Sequence, residues 1–239
     1  MNLKRVIRQS VFVWLALFGS GALAAGAGTV THLSGTLSVQ RSDGGVRILS
    51  QKSEVNPGDV LTTQRDSYAQ INFSDGSSLT MRPNTQIKIE EYNFVQSRPQ
   101  EDITFLRLIK GGLRTVTGLV GKRGNQDAYK IGTNTATIGI RGSSGDTIDS
   151  STGGCEGVTP DCDKLPAGVY HTTYTGSYIM QNEGGSQIIG EGQFGFAGDF
   201  KSPPVLLPGD PGLNAGQLPF MLGVSSGRLQ GPGQECVVR

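Results

Sequence analysis

Two histidines, three cysteines and a handful of paired carboxylates are the residues of this chain with the makings of chemistry. A hydrolase needs a nucleophile, a base within hydrogen-bond reach and an oxyanion site. The sequence holds no G-x-S-x-G elbow, no H-E-x-x-H helix and no phosphate-binding loop. His32 falls at the first strand-like run and His171 between Tyr170 and Thr172, where each reads as a structural or surface residue. Glu90-Glu91 and Glu101-Asp102 suggest the carboxylate pair of a glycosidase. Neighbouring residues of a strand, however, point to opposite faces, so neither doublet alone spans a cleft, and both read as solvated charge at strand ends. Asp146, Asp149, Asp161 and Asp163 gather the oxygen ligands that calcium prefers, but at no known loop spacing, and read as loop polarity. No catalytic residue, metal ligand or cofactor is therefore expected, and the chain reads as a protein other than an enzyme.

Cys155 and Cys162 are close enough in sequence to form a local disulfide in an oxidising compartment. The competing reading is a zinc or redox site, against which stand the missing C-x-x-C and the distance to either histidine. Cys236 is left to pair between chains, to stay free or to exchange with one of the other two.

The oxidising compartment follows from the N-terminus. Lys4, Arg5 and Arg8 precede a short apolar run over 11–17 and the small-x-small step Ala22-Leu23-Ala24. That is the pattern of a cleaved signal peptide over 1–24, and the product is expected to be periplasmic or otherwise exported. An uncleaved anchor is the alternative, but Gly19, Ser20 and Gly21 interrupt an apolar stretch already shorter than the about 20 residues a span requires. No later segment reads as a membrane span. Cleavage removes three cations and no anions, so the balance moves from 21 against 20 to 18 against 20. Near-neutrality without a basic stripe argues against nucleic acid as a partner.

From 29 to 200 the chain alternates polar and apolar residues in short runs set between turns, the signature of strands. Runs over 35–39, 68–73 and 79–81 are followed by candidates over 85–90, 104–109, 112–116, 135–140, 169–174, 177–181 and 186–190. The Asp75-Gly76 step between two such runs predicts a tight reversal, because glycine takes positive φ without steric cost. The expectation is one all-β domain over 25–200, built of stacked short strands as a β-helix-like roll or an irregular sandwich. After 200 the composition changes: six prolines and seven glycines fall in the last 39 residues. That stretch, 201–239, reads as a Pro/Gly-rich tail with an apolar island over 218–222 that would dock on a partner or on its own domain.

Four stretches in this order resemble the FecR domain of periplasmic sensor proteins. They are the opening pair over 28–39, the turn Asn56-Pro57-Gly58-Asp59 with its strand to Thr63, the strand–turn–strand of 68–85 around Asp75-Gly76-Ser77, and 111–142 with its ending from Thr135 to Arg141-Gly142. The resemblance over 28–142 implies a scaffold whose signature residues are architectural. Gly58, Asp59, Asp75 and Gly76 serve turns, and Gly142 stands where a strand leaves the sheet. Transmembrane relatives place a sigma-factor-binding segment and a membrane helix before this domain, whereas here the signal peptide leads almost directly into it. A direct anti-sigma role is accordingly not expected. What the resemblance implies instead is a non-enzymatic binding or scaffolding protein that recognises an envelope or sensor protein. The expected surface is the face built on 68–142 with the long polar loop over 143–168. The alternatives are a module that binds envelope glycan on Tyr68, Tyr92, Tyr170, Tyr174 and Tyr178, and a hydrolase with an unrecognised site.

Overall fold

A computed structural model describes residues 26–125, 127–151, 155–159 and 162–213. The signal segment 1–24, Asp161, Cys236 and the apolar island at 218–222 lie outside these residues. Among the described residues fifteen strands form in chain order: β1 (Gly28–Ser34), β2 (Leu37–Gln40), β3 (Val46–Leu49), β4 (Glu54–Val55), β5 (Val60–Thr63), β6 (Tyr68–Phe73), β7 (Ser78–Met81), β8 (Gln86–Asn93), β9 (Ile103–Val116), β10 (Tyr129–Gly132), β11 (Thr137–Asp149), β12 (Val169–Asn182), β13 (Gly185–Gly190), β14 (Phe194–Ala197) and β15 (Val205–Leu207). Two single turns of 3-10 helix, Pro99–Glu101 and Cys162–Lys164, are the only helical pieces among them. No helix of the described residues is long and apolar enough to cross a membrane.

All fifteen strands belong to one sheet, antiparallel except between β9 and β10. Three strands are too long to lie in one plane, and each changes partners partway along. The first half of β9 pairs with β8 and β10; its second half pairs with β7 and β11. β11 and β12 do the same, exchanging partners around Gly142 and Gly176. The sheet therefore divides into two arms. Arm one runs β3-β2-β5-β8-β9-β10-β11-β12-β13, and arm two runs β4-β1-β6-β7-β9-β11-β12-β14-β15. Leu37, Leu61, Ile87, Leu106 and Ile138 of the first arm and Val30, Ile71, Leu79 and Leu113 of the second share one buried core. Strand alternation sends every second side chain into it. Of the two architectures expected, this is the irregular sandwich: a sheet folded on itself, with strands that bend from one layer into the other.

The bends explain how the sequence pattern differs from the structure. Runs expected as separate strands, 104–109 with 112–116 and 169–174 with 177–181, are single strands bent at Gly111 and Gly176. These glycines take φ of 90° and 73°, the left-handed region that side chains with a Cβ avoid. Gly142, with φ 64°, lets β11 leave arm one, but the strand continues through arm two to Asp149. The expected loop over 143–168 is thus strand for its first seven positions. The signature turns hold by side-chain bonds as well as by glycine. Gly58 and Gly76 take φ of 87° and 84°. Asp59 accepts from the Asn56 amide at 2.7 Å and pairs with Arg41. Asp75 accepts from the Ser77 amide and hydroxyl at 3.0 and 2.6 Å, and its second oxygen takes the amide of Val120 at 3.0 Å. A turn residue read from local sequence therefore also anchors a segment 45 positions away.

The corner at Gly111 leaves no room for a methyl group: an added Cβ would stand 2.6 Å from Thr85 Cα, on top of the backbone strain. Gly111→Ala is expected to cost about 3 kcal/mol in urea unfolding. Gly44→Ala, at φ 84° but with open space around the Cβ, should cost only about 1 kcal/mol. Equal losses for the two variants would refute the corner.

Candidate binding surface

The two arms share their inner faces, so any surface for a partner must be an outer face, and the two outer faces are treated differently. That of arm two is covered. Ile148, Cys155, Val158, Tyr170 and Leu213 form a second apolar cluster there, with Phe194, Phe196 and Leu207 packed against it. The cover is the segment after β11, stapled by a Cys155–Cys162 disulfide with Cα atoms 5.6 Å apart. It is tied down by Asn84 Nδ2 donating to the Glu156 carbonyl at 2.8 Å and Arg82 donating to the Val158 carbonyl at 3.3 Å. Thr159 Oγ1 donates to the Gly212 carbonyl at 2.9 Å, which fixes the last described residues to the same cap.

Beneath the cap lies a buried charge cluster. Asp146, 1% exposed, faces Arg114 across the β11–β9 ladder. Arg114 approaches with two donors, at 2.6 and 3.0 Å, Tyr174 donates its hydroxyl at 2.8 Å, and Arg82 completes the set as a buried ion pair. Four donors saturate the lone pairs of one carboxylate. Burial alone would push the Asp146 pKa up, but the hydrogen bonds from Arg114 and the charges of Arg82 and Arg114 outweigh it and hold the carboxyl below the ordinary aspartate range. On the inner side of the same strands His171 is fully buried, with Nδ1 3.0 Å from Thr147 Oγ1 and its ring 4.0 Å from that of Tyr178. Burial drives its pKa down to about 3, against the opposing pull of Asp146.

Among the described residues, none caps the outer face of arm one. Register places Phe105, Lys130, Gly139, Ile179 and Ile188 side by side across five strands, with Arg107, Gly132, Thr137 and Gln181 in the next row. Two of these mid-sheet positions lack side chains. A Cβ on Gly132 would stand 3.0 Å from the Phe105 ring, and one on Gly139 2.8 Å from Ile179 Cγ2. The bare backbone lets those neighbours lie flat, and at Gly139 it floors a trough of about 600 Å³. Glycine inside a strand costs stability, and close approach of another group is one of the uses that repay it. Lys130 and Arg141 line the trough opposite Asp127 and Glu183, and Ile179 and the half-exposed Phe200 add apolar walls. Arg141 also lines a second hollow of about 350 Å³ with Lys122, Gly121 and Gly142.

The residues singled out for chemistry lie apart from one another where they fall among the described residues. His32 is exposed on β1, with four strands of arm two between it and the buried His171 on β12. Glu90 pairs with Lys88 and Arg107, Glu101 with Arg98, and Asp102 is buried against Arg123. Of the calcium candidates, Asp146 is engaged by guanidinium groups, and Asp149 accepts from the Ser151 amide at 2.8 Å with its pKa raised by burial. Tyr170 and Tyr178 are buried and Tyr92 bonds the Asp75 turn, so the tyrosines do not form a stacking row. Lys130, Gly139, Arg141, Ile179 and Phe200 went unread as a site. Gly139, inside the run expected as a strand over 135–140, was the one signal that pointed there.

Residues 59–158 match the model of the family described as FecR protein. No curated protein matches the chain. Two crystal structures of a candidate anti-sigma factor from Parabacteroides distasonis are similar, at 9% and 10% identity, each with TM-score 0.45 over 63% of this chain. The match spans 60% of the length of those structures.

The buried imidazole makes stability depend on pH. An unfolded histidine takes up a proton near pH 6.5, about the ordinary value, whereas His171 in the fold resists until about 3. Its contribution is therefore complete above about pH 6.5 and is lost as pH falls, by roughly 1 kcal/mol per pH unit. Asp146 acts in the same direction lower down, because its contribution fades as pH drops through its depressed folded pKa. Urea unfolding between about pH 7.5 and about pH 4.5 should show the decline, and His171→Gln should flatten it. A wild-type profile already flat in that window would contradict a neutral buried imidazole.

Proposed function

We propose that the chain, which carries a FecR-like domain over residues 59–158, is a non-enzymatic scaffold of the cell envelope that recognises an envelope or sensor protein through the outer face of arm one. The observation that carries this reading is the unequal treatment of the two outer faces. One is sealed by a disulfide-stapled cap and a second apolar cluster. The other is open and carries the glycine-floored trough. On this reading the N-terminal segment directs export, and the disulfide belongs to the oxidising space beyond the membrane. The trough carries both signs of charge around an apolar wall, the composition of a surface that fixes the register of a protein partner. The face first expected, 68–142 with the following loop, gives way to one formed by residues 127–200, because the described part of that loop is spent on covering arm two.

Photo-crosslinking probes at Lys130 and Gln181 in the trough, and at Glu156 on the cap, separate the two surfaces in living cells. The trough probes are expected to capture one and the same envelope protein. Gly139→Val, which fills the trough floor, should abolish that capture with the thermal midpoint kept within a few degrees. Capture from Glu156 alone, or capture that Gly139→Val leaves intact, would remove the trough from the function.

A further inference from the structure

Arm one is an open sheet, and both of its terminal strands expose aliphatic side chains. Among the described residues, β3 pairs only with β2, and β13 only with β12. On β3, Val46 and Ile48 are 70% and 77% exposed; on β13, Ile188 is 58% exposed. All three project from the outer face, since their strand neighbours Leu49 and Ile189 are the ones that enter the core. An unpaired edge of this kind is a template for strand addition, which natural sheets usually blunt with charge or proline. Neither edge carries a proline, and their net charges are of opposite sign. Arg47 and Lys52 outnumber Asp43 among the exposed charges on and beside β3, whereas Glu183 and Glu191 are exposed at the two ends of β13. None of the five forms an ion pair among the described residues.

We propose that this chain assembles head to tail with further copies of itself, the β3 edge of one copy pairing with the β13 edge of the next. Antiparallel pairing with Ile48 opposite Ile188 brings Glu191 opposite Gly45, two positions from Arg47, and puts the turn that carries Lys52 at the same end as the turn that carries Glu183. Parallel pairing on the same isoleucines would put the turn that carries Asp43 at that end instead and is disfavoured. Pairing of β3 with β3 about its centre sets each Arg47 opposite the other copy's Ile48 and joins two net-basic edges. The opposite net charges thus select the unlike edge, and the exposed isoleucines of the two copies meet across it. The surface joined to β3 differs from the surface joined to β13, so the contact is heterologous and does not close on a dimer. This inference shares Glu183 with the trough but does not depend on the trough's partner.

The test is sedimentation velocity on the full chain across a wide concentration range at low and high salt. The expected result is a weight-average mass that rises with concentration past two protomers and falls back with salt. Ile48→Lys and Ile188→Lys change exposed residues, so each should keep the wild-type circular dichroism and thermal midpoint, and each should be monomeric alone. Mixed, they should form a species of two protomers and no larger, because each variant retains the edge that the other lacks. A wild-type chain that stays monomeric throughout overturns the proposal. So does a closed dimer that persists in Ile188→Lys, or a mixture of the two variants that remains monomeric.

Discussion

The carboxylate of Asp146 is the constraint on which the capped half of the molecule depends. Taking a carboxylate out of water costs several kcal/mol unless its lone pairs are met, and removing one partner of such a set leaves the others stranded. Asp146 is met from separate elements: Arg114 on β9, Tyr174 on β12 and Arg82 just beyond β7. Those three groups converge only when β7, β9, β11 and β12 stand in their native register, so the charge cluster tests the assembly of arm two. Arg82 then reaches on to the carbonyl of Val158, which makes the cap a part of the same solution. The disulfide limits how far the capping segment strays, but the buried charges say where it must sit.

Much of this was legible in the sequence, and the boundary between what was legible and what was not is physical. Alternation gave the strands, since Tyr68–Phe73 and Ser78–Met81 each send every second residue into the core. The Asp75-Gly76 reversal was legible because its cause is local. Where glycines interrupt alternation, a sequence offers two readings, a loop between strands or a corner within one. Gly111, Gly142 and Gly176 were read as breaks and are corners. Local pattern cannot choose between these, because the choice is made by partners far along the chain: Thr85 beside Gly111, and Ser143 beside Gly176. The same limit hid the charge cluster. Arg82 and Asp146 are 64 positions apart, and nothing near Asp146 distinguishes a structural carboxylate from a loop one.

The trough was illegible for a different reason. Its chemistry lies partly in what is missing, at Gly139, and a missing side chain acquires meaning only once Ile179 is known to lie beside it. Strand order supplies that knowledge, because β11 pairs antiparallel with β12. A row that begins at Phe105 and ends at Ile188 is drawn from five strands spread over more than a third of the chain.

The contrast between the faces then bears on how the scaffold tolerates change. On arm two the outer face is buried under a cap, so substitutions there disturb the apolar cluster or the charge balance at Asp146 and are felt as stability. On arm one the outer face is free of such duties: Lys130, Arg141 and Gln181 are exposed, and the core beneath them is filled by Ile131, Ile138, Ile140 and Met180 from the opposite side of the same strands. Strand alternation separates the two tasks residue by residue, one neighbour holding the fold and the next facing outward. A surface arranged in this way can be rewritten for a new partner without renegotiating the core. The buried cluster under the other arm keeps the sheet in register while that happens.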